Sequence, residues 1–182
     1  MRQRFLPILL LAALLGCSKS DSNPITDFGE GEGITYRSTN NFPVGPRDYT
    51  DWTSDGEWNR QERALFPDFS FDLNGAQRPA LVSFNSAYPN PAYSGTADWG
   101  LQMQRGAGIG INPFSVQAVV VNRKYQIMRQ LGPLAFGAGV TFRLDYPAIG
   151  IRPNELYRIY YVVSDASGLL YKGHGDVRYS PQ

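Results

Sequence analysis

The sequence predicts an all-β fold, an antiparallel β-sandwich with one short helix. Three observations carry that prediction. Apolar residues recur at every second position in a series of short runs, the period of a strand with one buried face. Turn residues divide the runs at intervals of about 8–12 residues. The 182 residues include 19 Gly and 13 Pro beside 11 Tyr and 10 Phe, a mixture suited to short strands and tight corners.

The chain opens on Arg2 and Arg4, a basic head, followed by the apolar run Phe5–Leu15. This pattern reads as a secretory signal over residues 1–16. The run is shorter than the roughly 20 residues a membrane span needs, and Pro7 opposes a rigid spanning helix. It ends in Leu14-Leu15-Gly16-Cys17, and Cys17 is the sole cysteine. The ending resembles the bacterial lipobox. That resemblance implies cleavage between Gly16 and Cys17, lipid on the Cys17 thiol, and acylation of the new amine. The alternative is an ordinary signal peptide followed by a chance cysteine. A lone exported thiol is open to oxidation, and a thioether removes that exposure. Ser18 rather than Asp follows Cys17, which by resemblance to the enterobacterial sorting rule implies the outer membrane. Lys19 and Asp21 are too mixed to choose its periplasmic or its cell-surface face.

Residues 17–33 hold few apolar side chains and read as a flexible tether. At about 5–6 Å × √n, a tether of this length sets the domain on the order of 20 Å from the lipid. Loss of Arg2 and Arg4 from the 17 basic residues leaves them one short of the 16 acidic ones. Such a balance has no electrostatic footprint for nucleic acid and makes no case for a polybasic membrane surface.

Residues 34–75 read as an N-terminal helix and strand segment packing on the core. Glu57–Phe66 has helical spacing, with Trp58 and Leu65 on one face, and Pro67 ends it. Asp68–Leu73 alternates as a strand, and Asn74-Gly75 is a turn. Two readings compete just before the helix. Asp51, Thr53, Asp55, Gly56, the Glu57 carbonyl, Asn59 and Glu62 fall on the spacing of a calcium loop. Equally, Ser54 with Glu57 makes a capping box, and Asp55 suits the helix dipole. Trp52 and Trp58 are then core anchors.

Residues 76–182 form the sandwich. Strands are expected at Ala80–Phe84, around Trp99, Leu101 and Met103, and at Ser115–Asn122. A short turn at Asn122-Arg123-Lys124 leads to a further strand at Tyr125–Arg129. Strands follow around Val140, Phe142 and Leu144, and at Leu156–Ser164 and Leu169–Gly173. Adjacent Tyr160 and Tyr161 point to opposite faces, so one is exposed if its sheet has a wet side. Gly106, Gly108 and Gly110 lack phosphate-loop spacing and read as a flexible loop between strands.

Tyr88-Pro89-Asn90-Pro91, the Val119–Lys124 strand and turn, and the Tyr-rich stretch from Tyr157 to Tyr179 share one resemblance. They are similar to the C-terminal sandwich domains of type IX secretion cargo and to the related flagellar-hook-cap-like immunoglobulin fold. The resemblance covers about the last half of the chain. It implies an Ig-like sandwich and a Bacteroidota-like source.

Chemistry is sparsely marked. A nucleophilic triad would have to use His174, the one histidine, and no G-x-S-x-G elbow is present. His174 has no sequence partner for zinc, and nothing selects a carboxylate pair for glycoside hydrolysis. Tyr88, Tyr93 and Trp99 lie in or beside an expected loop region, where aromatics can stack on sugars or anchor a protein. The expectation is a non-catalytic binding or accessory subunit of an outer-membrane complex, held by its lipid and docked on an envelope protein. The alternative is a glycan-binding module using exposed Trp and Tyr.

Overall fold

The computed structural model describes residues 25–29, 33–78, 80–105 and 113–182. In chain order its elements are β1 (Thr53–Ser54), α1 (Arg60–Ala64), β2 (Ala80–Tyr88), β3 (Thr96–Arg105), β4 (Phe114–Val121), β5 (Ile127–Phe136), β6 (Gly139–Asp145), β7 (Leu156–Asp165) and β8 (Gly168–Arg178). Two sheets form, one in the order β1-β8-β7-β4-β5 and one in the order β2-β3-β6. Every pairing between these strands is antiparallel. The protein is an all-β sandwich with one short helix. Gly16 and Cys17 lie outside the described residues, as does the glycine-rich run at 106–110.

The period-two alternation explains the space between the sheets. Trp99, Leu101 and Met103 of β3 meet Val116, Ala118 and Val120 of β4 and Ile159, Tyr161 and Val163 of β7. The other face of the larger sheet is covered too. Trp58, Leu65, Phe66 and Leu73 pack over Val119, Val121, Tyr160 and Val162. The central strands β4 and β7 are therefore apolar on both sides, the pattern of a strand dry on both faces. The sheet has no wet side at Tyr160 and Tyr161, so neither is exposed and both are fully buried.

Hairpin chemistry sets the connections. Asn122 Oδ1 accepts the N–H groups of Lys124 and Gln126 at 2.9 and 3.1 Å, closing the β4–β5 turn through Tyr125 at φ 58°. Asp165 Oδ1 accepts the Ser167 N–H at 2.7 Å in the β7–β8 turn. β5 is an edge strand running well past the expected Arg129, and Gly132 makes its bulge against the Val116 carbonyl, at φ 83°. Pro133 is tolerated there because no strand pairs with that edge.

Four expectations about the N-terminal half are corrected. The helix is Arg60–Ala64 rather than Glu57–Phe66. Asn59 outcompetes Ser54 as its cap, since Asn59 Oδ1 accepts from Gln61 and Glu62 while Glu62 Oε2 accepts from Asn59 N–H at 2.7 Å. Asp68–Leu73 forms no strand, because Phe69, Phe71 and Leu73 turn onto the second cluster and no sheet edge meets them. The two-residue β1 pairs instead with β8. The tether expected over 17–33 is docked at Thr26 and Phe28, both buried. Thr26 N–H donates to the Arg123 carbonyl at 2.8 Å, and the Phe28 ring lies beneath the guanidinium carbons of Arg123 and Arg158, each at 5.2 Å.

Tyr88-Pro89-Asn90-Pro91 ties these layers together. Both X–Pro bonds in it are cis. Asn90 is fully buried. Its Nδ2 donates to the carbonyls of Thr35 and Asp176 at 3.2 and 2.8 Å, and its Oδ1 accepts from Arg178 N–H at 3.2 Å. Its backbone exchanges two hydrogen bonds with Arg37. One asparagine thus binds the N-terminal segment to β8.

Candidate functional site

Alternation on β8 places Lys172, His174 and Asp176 on the covered face of the larger sheet. Register places Val162, Tyr160 and Arg158 of β7 beside them. The polar groups form a line of mutual pairs. Arg158 Nε and Nη2 donate to the two Asp176 oxygens, both at 2.7 Å. Asp51 Oδ2 accepts from Thr35 N–H at 2.8 Å and its Oδ1 from Asp176 N–H at 2.5 Å. His174 Nδ1 lies 2.7 Å from Asp55 Oδ1, and Trp58 Nε1 donates to Asp55 Oδ2 at 2.6 Å. Tyr160 donates to Glu62 Oε1 at 3.0 Å.

Burial governs the protonation of this line. Burial and the neighbouring Asp176 charge push the Asp51 carboxyl up to about 7, against the backbone donors and His174, which hold it down. Burial alone would discharge Arg158, but its bonds to Asp176 outweigh that, and its pKa is raised. Burial lowers Lys172, opposed by Asp55, Glu62, Asp72 and Glu57. Burial raises the hydroxyls of Tyr160 and Tyr161, which keeps both protonated and able to donate. With each charge partnered inside the protein, the line holds the covering layer in place.

The calcium-loop residues do not converge on a common centre. Asp51 faces backbone donors, Asp55 faces His174 and Trp58, and Glu62 faces Asn59 and Tyr160. Thr53 Oγ1 donates to the Thr50 carbonyl at 2.8 Å, Asn59 caps α1, and Glu57 is exposed. Among the described residues no group of three or more His, Cys, Asp or Glu could hold a metal ion. The spacing that suggests a cation loop is used by β1 and the helix cap.

The three candidate aromatics separate. Trp99 is not a surface platform: it is fully buried, stacked on Phe142 at 5.2 Å and bonded through Nε1 to Asn85 Oδ1 at 3.0 Å. It follows the inward alternation of Leu101 and Met103. Tyr93 is exposed in the segment between β2 and β3. Tyr88 ends β2 and lines a groove of about 350 Å³ with Asn41, Gly100, Gln102, Gly139, Val140 and Thr141. That lining carries no charged side chain.

Beside the groove stands a loop that sequence reasoning passed over. Tyr36 N–H donates to the Pro46 carbonyl at 3.1 Å, Val44 N–H to the Tyr36 carbonyl at 3.1 Å, and Ser38 N–H to the Phe42 carbonyl at 3.0 Å. Arg37 Nη1 donates to the carbonyl and the Oδ1 of Asn41 at 2.9 and 3.1 Å. The ordered loop lifts Phe42 and Val44 into solvent, with Phe42 67% and, seven residues on, Tyr49 78% exposed. The sequence signal was present in Phe42-Pro43-Val44-Gly45-Pro46, an apolar tip between two prolines.

Set against known proteins, the chain matches no family model and no curated relative.

Proposed function

We propose that this chain is a lipid-anchored protein of the outer membrane, acting as a non-catalytic binding or accessory subunit of a larger envelope complex. The observation that carries this reading is the Tyr36–Thr50 loop. Large apolar side chains on a loop fixed by its own hydrogen bonds lose little conformational freedom on docking, which is how aromatic anchors at protein interfaces act. The lipobox-like ending at Cys17 supports the anchor. A photo-crosslinking amino acid placed at Phe42 in native envelopes is expected to give one defined adduct that Tyr49→Ser weakens. A monomer that crosslinks to nothing overturns the reading.

The groove at Tyr88 favours a second reading, glycan binding. An aromatic edge among neutral amides and a hydroxyl matches an uncharged polyol, which offers both an apolar face and many hydroxyls. Tyr88→Ala, rather than a change at Trp99, is the informative variant. Loss of retention on immobilised polysaccharide supports the reading, and no retention of the unaltered protein removes it.

A further inference from the structure

A second cleft, of about 640 Å³, opens where β4 ends and β7 begins. It is lined by Arg123, Lys124 and Arg152 among others, with the β4–β5 turn on one side and residues 150–157 on the other. Among the described residues Glu155 is its one carboxylate, 3.6 Å from Arg152 and taken up by the Tyr157 hydroxyl at 3.1 Å. The cleft therefore carries a positive excess that the near-neutral overall composition conceals.

The same end of the sandwich receives the N-terminal strand of chain. Thr26 is fastened to the Arg123 and Asn122 carbonyls on the rim of the cleft. Ile25 is eight residue steps beyond Cys17. Even fully extended they span at most about 29 Å, so a lipid on Cys17 holds this end of the domain toward the bilayer. Ile25, next to Thr26 in the chain, is 61% exposed there. Basic groups beside an exposed aliphatic side chain match the chemistry of a bilayer interface, with phosphates outside and acyl chains beneath.

We infer that the Arg123, Lys124 and Arg152 cleft, with Ile25 beside it, seats net-anionic phospholipid headgroups of the membrane that carries the anchor. The inference rests on the lipid-anchor reading for its geometry. The domain then lies against the bilayer by this end instead of swinging on its leash. Anionic headgroups neutralise the three cations, and Ile25 enters the interfacial region.

The test uses the mature chain, residues 17–182, with Cys17→Ser, so that no covalent lipid contributes. This chain is expected to sediment with vesicles of phosphatidylcholine mixed with phosphatidylglycerol and not with pure phosphatidylcholine. Combined Arg123→Gln, Lys124→Gln and Arg152→Gln should weaken sedimentation about tenfold or more at low salt. A change at Arg143, which lies off the cleft, should leave it unaltered. Thermal unfolding of each variant confirms that it is folded, since the altered side chains are exposed. Equal binding to both vesicle types, or binding indifferent to the triple change, overturns the inference. So does displacement by millimolar inorganic phosphate without any vesicle preference, which would assign the cleft to a free anion. Failure of the anchor reading is seen separately, as a native protein that leaves the detergent phase and carries a bare Cys17 thiol.

Discussion

The ammonium of Lys172 sits 4.9 Å from the ring centroid of Trp58 and donates to Asn74 Oδ1 at 2.8 Å. Asn74 Oδ1 in turn accepts the Trp58 N–H at 2.8 Å, and Asn74 Nδ2 donates to the Trp58 carbonyl at 2.9 Å. The cation of β8 is thus enclosed by the covering layer rather than by the sheet that carries it. A desolvated cation over an indole face is attracted by about 2 kcal/mol.

Trp58 is therefore the residue on which the covering layer depends. Its ring also stacks on Phe66 at 5.5 Å and meets the Tyr160 edge at 5.6 Å. Trp58→Ala should cost about 3–5 kcal/mol, read as a lower urea midpoint. A loss below about 1 kcal/mol would show that the layer is not cooperative with the sandwich.

Asp51 makes the stability of the fold depend on pH. Its carboxyl is raised from 3.8 to about 7 by burial and by Asp176, so the folded state holds its proton more tightly than the unfolded chain does. The Asp51 contribution is then complete below the unfolded value and is lost as pH rises toward about 7. Urea midpoints should fall across that window, and Asp51→Asn should flatten the fall. An unchanged slope in the variant would assign the pH dependence elsewhere.

Tyr146 is fully buried, and its hydroxyl has no hydrogen-bond partner among the described residues. Burial raises its pKa, so the hydroxyl stays a neutral, desolvated donor. Tyr146→Phe removes that group and keeps the ring against Tyr179. Stability should be unchanged or higher by about 1 kcal/mol. Differential scanning calorimetry decides, and a clear drop in Tm would reveal a partner for the hydroxyl.

Gly175 of β8 lies under the Trp52 ring, and a Cβ there would enter the indole. Trp52 itself stands at φ 61°, so its backbone has few ways to retreat. Gly175→Ala should lift residues 51–54 from β8 and cost about 1–3 kcal/mol. Limited proteolysis would then cut between Tyr49 and Asp55 faster than in the parent chain. Equal cutting rates would mean that the segment can repack around a methyl group.

The sandwich was legible where alternation ran for several residues, as at Trp99, Leu101 and Met103 or through Val116 and Val120. The two-sided burial of β4 and β7 was not, because period-two spacing names two faces without saying what covers either. For that reason the spacing of Tyr160 and Tyr161 could say only that they face opposite sides. Trp99 was placed near a loop because β3 begins only at Thr96, and its inward direction comes from register with Phe142. Asp51 to Glu62 carries two overlapping patterns, and local spacing could not rank them. The outcome depended on His174 and Asp176, more than 100 residues away in sequence. The basic cleft escaped notice because Arg123, Lys124 and Arg152 come from two different connections.

The second apolar cluster has a practical consequence for anyone dividing this chain. A cut at residue 75 looks natural on paper, since every long strand follows it. Such a fragment would bare Val119, Val121, Tyr160 and Val162 and strand the guanidinium of Arg158 and the amine of Lys172 beside open water and grease. The smallest piece worth expressing begins at Thr26, ahead of both the ring that lies under Arg158 and the indole that roofs Lys172.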